Sequence, residues 1–109
     1  MPNRSKQKLL DETAAGVFTI AATPFLPDGA LDLESIDTMV DFYQAKGATG
    51  LTILGMMGEA GKLSAKESAV MIDRVTTRAS VPVVVGVSAA GLAAIKALAD
   101  TAMTRGAAG

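Results

Sequence analysis

Apolar runs and helical repeats alternate along the chain. Three apolar runs are strand candidates: residues 16–23, 50–54 and 81–87. The strand starts near Val17, Leu51 and Val83 are 34 and then 32 residues apart, which is the size of a β-α-β unit. The third run is apolar throughout, a pattern typical of a parallel strand that is covered on both faces. The pattern therefore predicts a parallel sheet whose strands are joined by helices.

Helix signals fill the intervals between these runs. Asp32 can cap a helix that ends at Lys46-Gly47. Ser64-Ala65-Lys66-Glu67 is a capping box that opens a second helix, and residues 91–105 form a third. Apolar positions at helical spacing are expected to be buried: Leu33, Ile36, Met39, Val40 and Tyr43; Val70, Met71 and Val75; and Leu92, Ile95, Leu98, Ala99, Ala102 and Met103.

The predicted order β-α-β-α-β-α fits two architectures, an open doubly wound sheet or a closed (β/α) barrel. A barrel needs roughly 250 residues and eight units, so three units do not close one. The pattern calls for a fourth strand at residues 106–109, where the chain stops. Residues 1–15 are polar and lack a period, and we interpret them as a leader that precedes a domain of residues 16–109.

Composition narrows the possible chemistry. The 109 residues are half apolar and carry a net charge of −1, which favours a globular protein without attraction to nucleic acid. Without Cys or His, the chain has no thiolate nucleophile, no histidine zinc site and no Ser-His-Asp triad. We find no apolar run of membrane-spanning or signal-peptide type and expect a cytoplasmic protein.

A glycine-rich loop, residues 55–61, follows the second strand candidate. In both architectures ligands bind at the carboxyl ends of parallel strands. Glycines let backbone N–H groups turn toward an anion such as a carboxylate or phosphate. A strand-to-helix turn that simply needs small residues explains the pattern equally well. The glycine spacing matches neither a P-loop nor a dinucleotide fingerprint. Gly61-Lys62 is followed by Leu63, where a P-loop has Ser or Thr.

Four motifs, in this order, resemble the dihydrodipicolinate synthase and N-acetylneuraminate lyase family over residues 16–109. They cover its opening strand and turn, its substrate loop with the next helix start, its third strand and the end of its third helix. The motifs are Gly16-Val17 to Thr23-Pro24-Phe25 with Asp28-Gly29 and Leu31-Asp32; Gly55-x-x-Gly58-Glu59 with Lys62-Leu63-Ser64 and Glu67; Val81-Pro82-Val83 with Gly86-Val87; and Ala102 to Gly106.

The resemblance implies an α/β fold, the N-terminal β-α-β-α-β-α portion of an incomplete (β/α)8 TIM barrel. It also implies a Schiff-base lyase, in which a lysine forms an imine with pyruvate or another 2-keto acid without a metal or organic cofactor. The family's lysine and proton-carrying tyrosine lie on its sixth and fourth strands, so both are expected beyond Gly109. No catalytic residue is assigned here, and the 109 residues alone are expected to be inactive. The family commonly forms tetramers, which implies a homo-oligomer at full length.

The resemblance also implies a substrate-binding loop. The family usually carries two hydroxyl residues where this chain has Met56 and Met57; the second binds the keto-acid carboxylate through its hydroxyl and amide, and the first passes protons. A thioether donates no hydrogen bond. The backbone amides of Met56 and Met57, flanked by Gly55 and Gly58, are therefore expected to hold the carboxylate.

Two polar residues complete the predicted site. Thr23 ends the first strand and either faces the pocket mouth or satisfies local backbone groups. Glu59 is expected to support the loop, by accepting its N–H groups or by pairing with a nearby cation.

The two methionines leave the substrate open. Either the full-length protein acts on a more apolar 2-keto acid than an orthodox dihydrodipicolinate synthase does, or both side chains pack under the loop. Two other functions remain: a small open-sheet module that binds an anion at residues 55–61, and a non-catalytic half-barrel that self-associates through exposed strands.

Overall fold

Three parallel strands and three helices alternate in the computed structural model, which describes residues 9–109. Residues 1–8 of the predicted leader lie outside the described residues. The strands are β1 (Phe18–Ile20), β2 (Gly50–Ile53) and β3 (Val83–Val85). The helices are α1 (Leu33–Ala45), α2 (Ala65–Arg78) and α3 (Leu92–Thr104), and a short 3-10 turn spans Ala60–Lys62. The predicted element order is confirmed.

Local capping signals define the helix ends. Asp32 accepts a hydrogen bond from the Ser35 N–H at 3.1 Å and caps α1. Ser64 and Glu67 form the reciprocal capping box of α2, with distances of 2.9 and 3.1 Å. Gly47 and Gly106 follow α1 and α3 with φ of 91° and 101°, a region that glycine adopts without steric cost.

The sheet has the order β1-β2-β3, and all its pairs are parallel. The strands are shorter than the apolar runs that predict them, because the flanking residues leave the regular ladder for loops. Single bonds continue the ladder beyond the strand ends: Ala21 N–H donates to the Thr52 carbonyl at 2.8 Å, and Gly86 N–H to that of Ile53 at 2.9 Å. The carboxyl ends of all three strands therefore meet at one edge.

The last residues run alongside β3. Ala108 N–H donates to the Val83 carbonyl at 2.8 Å, and Val85 N–H donates to the Gly109 carbonyl at 3.0 Å. Leu10 N–H in turn donates to the Ala108 carbonyl at 2.9 Å. Residues 107–109 thus occupy the position at which the sequence pattern calls for a fourth strand.

The core lies between one face of the sheet and the helices α1 and α2. Its largest side chains are fully buried: Ile36 and Val40 of α1, Leu51 and Ile53 of β2, Met71, Ile72 and Val75 of α2, and Val83 of β3. Burial of each such side chain stabilises the fold by roughly 1.5–3 kcal/mol. On the opposite face, the register row Ile20, Thr52 and Val84 is only partly covered, and Ile20 is exposed.

Some predicted core positions are exposed. Leu33, Val70, Leu92 and Met103 are exposed, and Leu92 is 82% exposed. The buried stripe of α2 runs through Ser68, Met71, Ile72 and Val75, which places Val70 outside it. Helix α3 packs against α2 along one side, and Ala102 is its one buried residue. Helical spacing predicts a stripe but not how much of it a neighbour covers.

Paired charges join α1 to α2. The Arg74 guanidinium contacts both carboxylate oxygens of Asp37 at 2.8 Å. One turn further on, Arg78 contacts both oxygens of Asp41 at 2.9 and 2.6 Å. Hydrogen bonds from Arg74 and Arg78 hold the pKa of Asp37 and of Asp41, respectively, below the ordinary aspartate value. The pairs align the two parallel helices turn by turn.

No helix among residues 9–109 combines the length and the apolar character that a membrane crossing requires.

Removing the Asp37 carboxylate is expected to destabilise the protein in a pH-dependent way. Asp37→Asn lowers the free energy of unfolding at neutral pH, because the ionised carboxylate is paired with Arg74. A lowered pKa in the folded state gives stability above the ordinary value of about 4, which is lost as the pH falls through the lowered pKa. Urea denaturation from neutral pH to about pH 3 measures the difference between variant and wild type.

Asp100→Asn is the matched control, since Asp100 is exposed on α3. The prediction is wrong if the effect of Asp37→Asn is the same at both ends of the pH range.

Candidate functional site

A left-handed residue directs the chain out of β2 into the loop. Leu54 has φ of 58° and a buried side chain. This conformation is costly for a residue with a Cβ and persists only where the surroundings hold it. Gly86, just after β3, lies directly against the Leu54 carbonyl oxygen, so that a Cβ at Gly86 would overlap it. The missing side chain at Gly86 thus leaves room for the bend at Leu54.

The loop itself consists of two overlapping turns. Gly58 N–H donates to the Gly55 carbonyl at 3.2 Å, and Glu59 N–H donates to the Met56 carbonyl at 3.0 Å. Met56 and Met57 occupy the corner of the first turn. Within residues 9–109 the N–H groups of Met56 and Met57 have no hydrogen-bond acceptor. Two successive backbone donors of this kind form a concave site for an anion.

The methionine side chains are exposed to solvent. Met56 is 94% exposed and Met57 is 66% exposed. The prediction that both side chains pack under the loop is therefore wrong for the described part of the chain. Their exposure follows from the turn, because corner residues project their side chains outward while the backbone closes the hydrogen-bonded ring.

Thr23 connects the first strand to this loop. Its side-chain oxygen donates to the Gly58 carbonyl at 2.6 Å, and the residue is only 4% exposed. Thr23 does bond to a backbone carbonyl, but the prediction that this backbone is local is wrong, since the carbonyl lies 35 residues further along the chain. Gly58 packs closely against the Leu54 backbone: a Cβ at Gly58 would lie 3.1 Å from the Leu54 nitrogen.

Glu59 also adopts a left-handed conformation, with φ of 54°. Its carboxylate pairs with the Lys62 ammonium at 2.6 Å across the 3-10 turn. Both side chains are exposed, and an exposed ion pair contributes about 0–1 kcal/mol. Among the two expected roles, the geometry shows pairing with a cation.

A cleft of about 350 Å³ opens over the loop. Its lining consists of Leu54, Gly55, Met56, Glu59, Ala60, Gly61 and Ser88. Ser88 is not among the residues predicted from the sequence; it is the first polar residue after the apolar run of the third strand. Its position was detectable, because residues that follow parallel strands meet at the same edge of the sheet. Predicted residues of the loop that follows β2 therefore share the cleft with a residue that follows β3.

Residues 13–109 match the profile of the Dihydrodipicolinate synthetase family. The chain belongs to this family. A curated 4-hydroxy-tetrahydrodipicolinate synthase from Sorangium cellulosum (strain So ce56) is 37% identical over 98 residues, which are 87% of this chain and 33% of the relative. The chain thus spans about a third of the length of that curated relative.

Solved structures of the family share the fold. A dihydrodipicolinate synthase from Rhodopseudomonas palustris superposes with a TM-score of 0.90 at 48% identity, over 94% of this chain and 34% of that one. A dihydrodipicolinate synthase from Acinetobacter baumannii, complexed with pyruvate, superposes with a TM-score of 0.80 at 28% identity, over 84% and 32%. The predicted fold class is confirmed: the six elements are the first three units of a (β/α)8 barrel.

Gly86→Ala is expected to destabilise this family member through its loop. The added methyl group meets the Leu54 carbonyl, which belongs to the backbone and cannot move aside cheaply. Forced overpacking of this kind costs roughly 1–3 kcal/mol. Urea denaturation measures the loss of unfolding free energy.

Gly61→Ala is the matched control, since a Cβ at Gly61 meets no atom of the described residues within 4 Å. Its effect is expected to stay within about 0.5 kcal/mol. Equal stability of the Gly86→Ala variant and the wild type would show that Leu54 does not require the space at Gly86.

Proposed function

We propose that the complete protein containing this chain is a class I lyase that forms a Schiff base with pyruvate or a related 2-keto acid. In this proposal the loop of residues 55–61 holds the substrate carboxylate. The observation that carries it lies at the carboxyl edge of the sheet: the N–H groups of Met56 and Met57 have no acceptor among residues 9–109. Family membership supports the reaction class, and the Acinetobacter baumannii relative was solved with pyruvate.

Backbone donors suit this role. Hydrogen bonds from N–H groups to a carboxylate are charge-assisted and roughly twice as strong as neutral ones. The two turns hold the donors in place before the substrate arrives, which lowers the entropic cost of binding. Carboxylate binding by backbone does not depend on the side chains at Met56 and Met57.

The imine-forming lysine is proposed to lie beyond Gly109. Each lysine of residues 9–109, namely Lys46, Lys62, Lys66 and Lys96, is exposed. Schiff-base lysines are activated by desolvation or by a neighbouring cation, and Lys62 is instead paired with a carboxylate. The 109 residues by themselves are therefore proposed to be inactive.

The exposed thioethers favour an apolar substrate. Met56 lines the cleft and presents a flexible, polarizable side chain that neither donates a hydrogen bond nor carries a proton. We propose that the complete protein acts on a more apolar 2-keto acid than an orthodox dihydrodipicolinate synthase does, or that another group relays the proton.

Borohydride reduction in the presence of pyruvate is expected to trap an adduct on the complete protein. Reduction converts the imine to a stable secondary amine, which adds one reduced pyruvyl group to the intact mass. Peptide mapping is expected to place the modified lysine outside residues 1–109. The 109-residue chain serves as the control and is expected to remain unmodified. Absence of an adduct on the complete protein, or an adduct at Lys62, contradicts the proposal.

Replacing both methionines by threonine is expected to restore a hydroxyl relay. In the complete protein, Met56→Thr with Met57→Thr raises the rate of condensation of pyruvate with aspartate semialdehyde by ~10²-fold or more, the usual contribution of a positioned proton-transfer group. Steady-state kinetics measure the change. Met56→Leu with Met57→Leu, which keeps the apolar bulk without a hydroxyl, is expected to leave the rate unchanged. An unchanged rate in the threonine variant would show that the methionines do not limit this reaction.

A further inference from the structure

We infer that Thr23 is a positioning residue for the 2-keto-acid carboxylate. It acts through the Gly58 carbonyl, which it holds so that the N–H groups of Met56 and Met57 face the ligand. This inference rests on the proposed function, since it assigns a residue to the carboxylate-binding loop.

The contact between Thr23 and the loop is short and buried. The distance from the Thr23 hydroxyl oxygen to the Gly58 carbonyl oxygen is 2.6 Å. Hydrogen bonds between two oxygens range over about 2.5–3.0 Å, so this one lies at the close end of the range. Thr23 is 4% exposed, which excludes competing water from the bond.

One peptide group transmits the restraint to the turn. The Gly58 carbonyl and the Glu59 N–H belong to the same planar peptide unit. Thr23 holds the carbonyl at one side of this unit, and the Met56 carbonyl accepts the N–H at the other side at 3.0 Å. Rotation of the unit would break both bonds together. Thr23 therefore stabilises the turn in which Met56 and Met57 form the corner.

Other restraints on the loop are weaker or act elsewhere. The Glu59–Lys62 ion pair is exposed and contributes little. Gly58 packs against the Leu54 backbone and lies near the Ala21 carbonyl, which limits its position but not the rotation of the following peptide. Within residues 9–109, Thr23 is the one buried side chain that hydrogen-bonds to the loop backbone.

Variants of Thr23 in the complete protein test the inference. Thr23→Val keeps the shape and removes the hydroxyl; it is expected to raise the KM for pyruvate about tenfold and to change kcat less than about threefold, because ground-state binding of the carboxylate is lost. Thr23→Ser keeps the hydroxyl and is expected to restore KM to within about twofold of the wild-type value. Amide hydrogen exchange of residues 55–60 is expected to be faster in Thr23→Val than in Thr23→Ser.

A merely structural role gives a different result. It lowers the melting temperature and the active fraction, and hence the apparent kcat, while the KM of the molecules that remain folded is unchanged. If Thr23→Val does not fold, Thr23→Ala and Thr23→Ser, which differ by one hydroxyl, provide the same comparison.

The two proposals fail separately. A wild-type protein that gives no borohydride-trapped adduct with pyruvate refutes the proposed function, and with it the ligand assigned to the loop. A wild-type protein that is trapped, together with an unchanged KM in Thr23→Val or in Thr23→Ala, refutes the positioning role alone.

Discussion

Packing of one sheet face against α1 and α2 is the interaction on which the rest of the structure depends. Leu51, Ile53 and Val83 project from adjacent parallel strands into the helices and are fully buried. A shift of one residue in any strand would turn these side chains to the opposite face, so the burial determines the register. The register in turn brings the carboxyl ends of all three strands to the same edge.

At that edge, the segment that follows each of the three strands contributes one structural feature to the loop. The segment after β2 supplies the left-handed Leu54, the segment after β3 supplies the space at Gly86, and the segment after β1 supplies the Thr23 hydroxyl. The result is a turn held by buried contacts, whose corner N–H groups have no acceptor in the part of the chain that the structure describes. In the proposed function backbone N–H groups hold the carboxylate, so the side chains at Met56 and Met57 are not needed for that contact and can be thioethers.

The outer side of the helices carries charge pairs, and the inner side of the sheet carries a partly covered row of side chains. Bidentate pairs between Arg74 and Asp37 and between Arg78 and Asp41 tie α1 to α2 on the outer side of the helices. The inner side of the sheet, in the row of Ile20, Thr52 and Val84, is only partly covered. In a (β/α)8 barrel this face is the interior, which layers of side chains from the other strands fill.

The sequence by itself determined the order of the elements, the caps at Asp32 and at Ser64 with Glu67, and the family, because these signals act within a few residues or repeat with the period of a strand or helix. It also located the loop and both corner residues. Only the tertiary structure decided the contacts that join distant segments: Thr23 with Gly58, Gly86 with Leu54, and Asp37 with Arg74. The exposure of Leu92 and Met103 was likewise decided by which neighbours α3 has. Helical spacing alone does not contain that information, because it records which residues share a face and not what covers the face.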